Sequence, residues 1–162
     1  DFTMGLNLNF SYKGFDLNIT GAGAFGQQIA KSYRSFADSP LQNYTTDIFG
    51  RWTGEGTSNK LPRLTSGSHT NWQNISDIYI EDGDYLKIQN LTIGYDFKKL
   101  FPTMPLGQAR LYLTAQNLFT FTGYSGMDPE IGYGYGKSWV SGIDLGYYPS
   151  PRTYMVGVNL KF

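Results

Sequence analysis

The 162-residue sequence has no cysteine and a single histidine, His69. The missing cysteine removes disulfides, thiolate zinc sites and thiol nucleophiles together. One imidazole gives a His-based triad or metal site little to work with, and His69 reads as an exposed loop residue. Charge is also scarce. Charged residues make up 16% of the chain, against ~25% in an ordinary soluble domain, and the formal net charge is zero. Without a positive field or a basic stripe, nucleic acid is not an expected partner. No apolar run approaches the ~20 residues of a membrane-spanning helix. That excludes a helical span, but not a membrane β-barrel, whose strands alternate instead. No signal-peptide pattern opens the chain, since Asp1-Phe2-Thr3 leads directly into alternation.

What the chain does have is aromatic residues, at 17% with 13 Tyr, and 20 Gly. It also has two-residue periodicity. Leu8 and Phe10 alternate with Asn7 and Asn9, and after Lys13-Gly14 the parity flips so that Leu17 and Ile19 alternate with Asn18 and Thr20. A two-residue turn at Lys13-Gly14 accounts for the flip, with Gly14 supplying a positive φ. Tyr12 then faces Phe15, Phe10 faces Leu17 and Leu8 faces Ile19, with one face apolar and the other polar. A one-residue slip would mix the faces, so the register is well specified.

Further strands are expected at about 84–97, 109–120 and 152–162, after the first two at about 3–12 and 15–26. Their apolar parity carries Leu91, Ile93, Leu111, Leu113, Val156, Val158 and Leu160, and their polar parity Asn90, Thr92, Thr114, Gln116 and Asn159. Leu86 and Ile88 break the pattern by sitting on the polar parity of the third strand. The connections alternate between short turns and long loops at about 27–83 and 121–151. Structureless loops beyond ~12–15 residues are uncommon in compact soluble domains. Short turns on one side and long loops on the other describe an outer-membrane barrel, with the turns in the periplasm and the loops outside. A ten-residue strand rises ~33 Å, enough when tilted to cross the ~25 Å apolar band. The competing reading is a soluble all-β module, for instance one that binds carbohydrate, whose amphipathic strands bury one face and wet the other. In either case five strands are too few for a single-chain bacterial barrel, which starts at about eight. The fold class expected is therefore all-β, with five antiparallel transmembrane strands belonging to a larger barrel.

The motifs that suggest chemistry are weak. Gly136-Lys137-Ser138 lacks the upstream glycine of a phosphate loop, because Ile131 stands there. Glu81, Asp82 and Asp84 around Gly83 offer oxygen ligands for calcium but lack the remaining ligands of an EF-hand loop, and a turn entering a strand explains Asp82-Gly83 equally. Glu130 and Asp144 are a formal glycosidase pair of unknown separation. The Asn-x-Ser/Thr matches at Asn18, Asn43, Asn74 and Asn90 fit chance in an Asn- and Thr-rich chain. A short helix is expected within 27–37, with Ile29, Tyr33 and Phe36 on one face. The loop aromatics Trp52, Trp72, Tyr133, Tyr135, Trp139 and Tyr147 are the best binding candidates, since flat rings stack on sugar faces and peptide side chains. Packing of the loops on one another is the alternative role for each. No cofactor, metal or catalytic residue is expected.

Three long blocks carry a family resemblance: YIEDGDYLKIQNLTIGYDF, RLYLTAQNLFTFTGYSGMDPE and GIDLGYYPSPRTYMVGVNLKF. With MGLNLNFSYKGFDLNI and RWTGEGTSNKLPRL upstream, the chain resembles the C-terminal region of SusC-like TonB-dependent transporters of Bacteroidetes over nearly its whole length. The resemblance implies a roughly 22-stranded barrel with a plugged lumen, of which this chain supplies five strands while the plug domain precedes it. It further implies an outer-membrane importer of oligosaccharides or peptides, energised through TonB and capped by a SusD-like surface lipoprotein. The remaining partners are the rest of the barrel, its plug and outer-membrane lipid, and the cargo passes unchanged, so no enzyme is expected. A non-TonB adhesin or secretion barrel is the other membrane reading. In this frame the polar parity, including Asn7, Asn9, Asn18 and Thr20, faces the lumen, and the apolar parity, including Leu8, Phe10, Leu17 and Ile19, faces lipid. Phe162 ends the sequence on the periplasmic side. It is an interfacial anchor or, by resemblance to outer-membrane proteins generally, the aromatic signal read by the barrel-assembly machinery.

Overall fold

The computed structural model describes residues 1–33, 44–64, 76–130 and 142–162. The strands among them are β1 (Phe2–Tyr12), β2 (Phe15–Phe25), β3 (Gln28–Lys31), β4 (Ile80–Asp82), β5 (Tyr85–Asp96), β6 (Gln108–Thr122), β7 (Ile143–Asp144) and β8 (Thr153–Lys161). The chain divides into two units. A sheet unit comprises Asp1–Gly26, Asp84–Gly123 and Pro149–Phe162, and a loop unit comprises Gln27–Gly83 and Tyr124–Tyr148.

The sheet unit is a five-stranded antiparallel sheet in the order β1-β2-β5-β6-β8. Its first hairpin has the register that alternation dictates, with Leu8 opposite Ile19, Phe10 opposite Leu17 and Tyr12 opposite Phe15. Lys13 (φ 47) and Gly14 (φ 89) both take positive φ, the requirement of the tight hairpin turn whose twist matches its strands. The Asp96 amide donates to the Gly14 carbonyl at 2.8 Å, tying this turn to the next one. In that second turn Asp96 caps a 3-10 turn, Phe97–Lys99, by accepting from the Lys98 amide.

Leu86 and Ile88 are reconciled by a bulge. Thr20 pairs with Asn90 but Gly21 pairs with Ile88, so Gln89 is an extra residue in β5. One extra residue reverses the side-chain parity beyond it. Leu86 and Ile88 thereby join the apolar face, opposite Phe121 and Phe119 of β6.

The sheet leaves large apolar side chains of one face open, where a soluble protein would cover them. On the apolar face Leu8 is 52% exposed, Leu113 48% and Val156 73%, whereas Thr114 on the polar face is 8% exposed. Leu8, Ile19, Leu91, Ala115 and Tyr154 run in one row across all five strands, and Phe10, Leu17, Ile93, Leu113 and Val156 in the next. An open apolar surface of this breadth marks an interaction face and not a solvated one. The soluble sandwich would have buried it.

The loop unit contains a three-stranded sheet in the order β4-β3-β7, antiparallel between β3 and β4 and parallel between β3 and β7. Of the stretch 27–37 where a short helix is expected, Gln28–Lys31 is strand β3 and Ser32–Tyr33 is helical, so Ile29 is on the strand and Tyr33 on the helix. Residues 34–37 lie outside the described residues. The reason is packing: Ile29 is 1% exposed at the centre of this small sheet, and a strand flanked on both sides satisfies its backbone as a helix would. Among the described residues of the unit, Tyr79 and Tyr124 are buried as well.

Candidate functional site

Across the sheet's polar face, hydrogen-bonding side chains fall into rows. Asn7, Thr20, Asn90 and Gln116 share one, and Asn9, Asn18, Thr92 and Thr114 the next. Asn18 Nδ2 donates to Asn9 Oδ1 at 2.5 Å, and Asn9 Nδ2 donates to Asn7 Oδ1 at 3.0 Å. The Thr92 and Thr114 hydroxyls meet at 3.0 Å. The Asn90 side-chain oxygen is buried and has no hydrogen-bond partner among the described residues. Asn159 lies opposite Arg110.

A charged pair missed by sequence reasoning closes this face toward the short turns. Arg110 Nε donates to Asp16 Oδ1 at 2.8 Å and Nη2 to Asp16 Oδ2 at 2.6 Å, the two-pronged geometry that a guanidinium and a carboxylate favour. Arg110 is on β6 and Asp16 on β2, with β5 between them. The pair passes over Gly94, where a Cβ would lie 2.6 Å from both Arg110 Nη2 and Asp16 Oδ1. The Tyr112 ring lies 4.8 Å from the Arg110 guanidinium and covers Gly157 of β8, whose missing side chain leaves the space. The available signal was two glycines inside strands, which mark close approach by another group.

In the loop unit, ion pairing and hydrogen bonding converge on Glu81. Lys31, 5% exposed, donates through Nζ to Glu81 Oε1 and to Ser125 Oγ, each at 2.6 Å. The Ser125 amide donates to Glu81 Oε2 and its hydroxyl to Oε1, both at 2.9 Å. Burial pushes the Glu81 carboxyl up, but the bonds from Lys31 and Ser125 outweigh it and hold the group below its ordinary value. Nearby in sequence, the Tyr124 hydroxyl donates to Asp144 Oδ2 at 2.6 Å, and the Gly146 amide donates to Asp144 Oδ1 at 2.7 Å. Burial first, then the Asp144 bond, drive the Tyr124 phenol far above its usual range.

These contacts give the acidic candidates structural duties. Glu81 serves Lys31 and Ser125, and Asp84 accepts the Gly26 amide at 2.5 Å. Among the described residues no group of three or more His, Asp or Glu side chains gathers to hold a metal. Asp144 is 3% exposed and engaged by Tyr124, whereas Glu130 is exposed.

Of the loop aromatics, Trp52 is 41% exposed and lines an open cleft of about 680 Å³ with Asn59, Lys60, Arg63 and Asp77. The loop that carries it folds back on itself. The Trp52 amide donates to the Leu61 carbonyl at 3.0 Å, and Thr57 Oγ1 accepts the Thr53 and Gly54 amides. Tyr147 is half-buried, and its hydroxyl is buried without a partner among the described residues. Trp72, Tyr133, Tyr135, Trp139, His69, Asn43, Asn74 and the Gly136-Lys137-Ser138 stretch lie outside the described residues. Of the other two Asn-x-Ser/Thr matches, Asn18 is committed to Asn9 and Asn90 sits within β5.

An antiparallel sheet with an open apolar face and a hydrogen-bonding opposite face is wall from an outer-membrane β-barrel. No protein-family profile matches the chain. TonB-dependent receptor P3 of Formosa agariphila is 35% identical over the whole chain, which spans 16% of that relative. TonB-dependent receptor SusC of Bacteroides thetaiotaomicron is 29% identical, again over the whole chain and 15% of its own length. Among solved structures, the RagAB peptide transporter matches 99% of this chain and 17% of its own chain, at 27% identity with a TM-score of 0.76. Over its whole length the chain is homologous to SusC-like TonB-dependent receptors, and it spans about a sixth of the length of these curated relatives.

Proposed function

We propose that this segment forms part of the wall of an outer-membrane importer that takes up oligosaccharides or peptides, energised through TonB and capped by a SusD-like lipoprotein. The observation that carries this reading is the sheet's open apolar face, with large side chains such as Leu8, Leu113 and Val156 exposed, opposite polar rows that bond among themselves. In a barrel the apolar rows face lipid and the polar rows face the lumen. The short turns then lie on the periplasmic side and the loop unit outside. RagAB is described as a peptide transporter, and the likeness to it supports a peptide or another oligomer as cargo. The cleft beside Trp52 is the surface on which cargo or lid would rest, with an aromatic face and the amide and ammonium of Asn59 and Lys60 within it. Cargo moves unchanged, and no covalent step is assigned to any residue.

The test is twofold. Native protein should stay with the outer membrane and require detergent for release; release without detergent would end the barrel reading. Deleting the gene should abolish growth on one class of oligomeric nutrient and spare growth on its monomers. Equal growth on peptides and oligosaccharides with and without the gene would refute import.

A further inference from the structure

We infer that the short-turn rim of the sheet is a binding site for anionic phospholipid headgroups. This rests on the membrane-barrel reading and adds a lipid selectivity to it. The chain as a whole is neutral, yet its charge is unevenly placed. At the short-turn end stand Lys13, Lys98, Lys99, Arg110 and Lys161, with only Asp16 and Asp96 as acids. Both acids are engaged. Asp16 is held by Arg110, and Asp96 Oδ1 accepts the amides of Lys98 and Ala109 at 3.0 and 3.2 Å. Lys98 spends its ammonium inside its own turn, donating to the Pro102 and Met104 carbonyls at 3.0 and 2.6 Å.

Lys13, Lys99 and Lys161 remain, exposed and without an acidic partner among the described residues, and the first two form the site. They are neighbours in space. The side-chain stem of Lys99 lies against Gly14, where a Cβ would meet its Cγ at 2.8 Å, and Lys13 is the adjoining turn residue. The Asp96-to-Gly14 hydrogen bond fixes the two turns together. Around the ammonium groups is an exposed apolar collar of Tyr12, Phe15, Leu100 and Phe101, and Lys13 Nζ already sits 5.3 Å from the Tyr12 ring centre. Aromatic rings and lysines belong at the headgroup level, rings toward the acyl chains and ammonium groups toward phosphate. Two uncompensated ammonium groups carried on adjoining turns within such a collar select a headgroup with net negative charge over a zwitterionic one.

The full-length receptor that carries this segment, purified from its membrane, is incubated with equal amounts of phosphatidylglycerol and phosphatidylethanolamine and examined by native mass spectrometry. Phosphatidylglycerol should be retained preferentially. The preference should fall roughly fivefold for each of K13Q and K99Q, return in K13R/K99R, and survive K60Q in the loop unit. Millimolar inorganic phosphate should not compete; displacement by phosphate alone would overturn lipid as the occupant. No preference in the wild type, or an undiminished one in K13Q/K99Q, overturns the site while leaving a membrane-inserted barrel intact. A receptor found in the soluble fraction overturns both readings.

Discussion

Arg110 reaches over Gly94 to grip Asp16, joining β6 to β2 across the whole width of β5. Neighbouring strands already share backbone ladders, but this pair links strands that share none. It therefore fixes how the sheet is drawn together at its short-turn end. The expected outcome of Gly94→Val is loss of the pair, because the added carbons occupy its path. We expect about 1–2 kcal/mol of lost stability, and a double-mutant cycle on Asp16→Asn and Arg110→Gln should show a coupling of similar size. Unfolding of the purified barrel in urea, followed by gel mobility, measures both.

Substitutions on the two faces should differ sharply, and by depth. Leu8→Arg falls in a central row and should cost ~2–4 kcal/mol. Leu160→Arg lies opposite Ala109 near the turns and should cost ~0–1 kcal/mol. Asn9→Ser on the polar face should be mild. Refolding yields into lipid vesicles would show the order, and equal tolerance on both faces would contradict the assignment.

Acid should loosen the loop unit through Glu81. Its folded-state pKa is depressed, so its contribution is complete above the unfolded value near 4.5 and is lost as pH falls through the folded value. Protection of the Ser125 amide from hydrogen exchange should hold at neutral pH and decline below about pH 4.5. Glu81→Gln should flatten that acid-side decline, and an unchanged profile would remove Glu81 as its cause.

Tyr124→Phe should leave Asp144 buried and short of a donor. The expected cost is about 1–3 kcal/mol, confined to the loop unit. Faster proteolysis within 142–148, with unchanged barrel unfolding, is the outcome to look for.

Much of the sheet was legible because alternation is local information. The residues around Lys13-Gly14 specify their own register, and the structure pairs them so. The disorder of pattern at Leu86 and Ile88 was itself a signal, produced by the extra residue Gln89. The loop unit was not legible. Strands β3, β4 and β7 are two to four residues long, too short for a period to show. Their cohesion comes from Lys31 meeting Glu81 and Ser125 across separations of 50 and 94 residues, which no local pattern encodes. Ile29 falls in strand instead of in the short helix expected within 27–37, which begins only at Ser32–Tyr33, because distant partners decided its backbone.

The pairing of β3 with β4 has a consequence for how such a receptor can change. Gln28 meets Asp82 and Ala30 meets Ile80, and the Gly83 amide closes onto the Gln27 carbonyl at 2.9 Å. The insertion between β2 and β5 is thus laced shut at its own base. Bringing the ends of a long insertion together costs entropy that grows only with the logarithm of its length, and here the lacing bears that cost within the insertion. Residues beyond the lacing can lengthen, shorten or be exchanged without altering the distance the strands must span. The part of the molecule free to acquire new recognition is in this way insulated from the part that must keep its register.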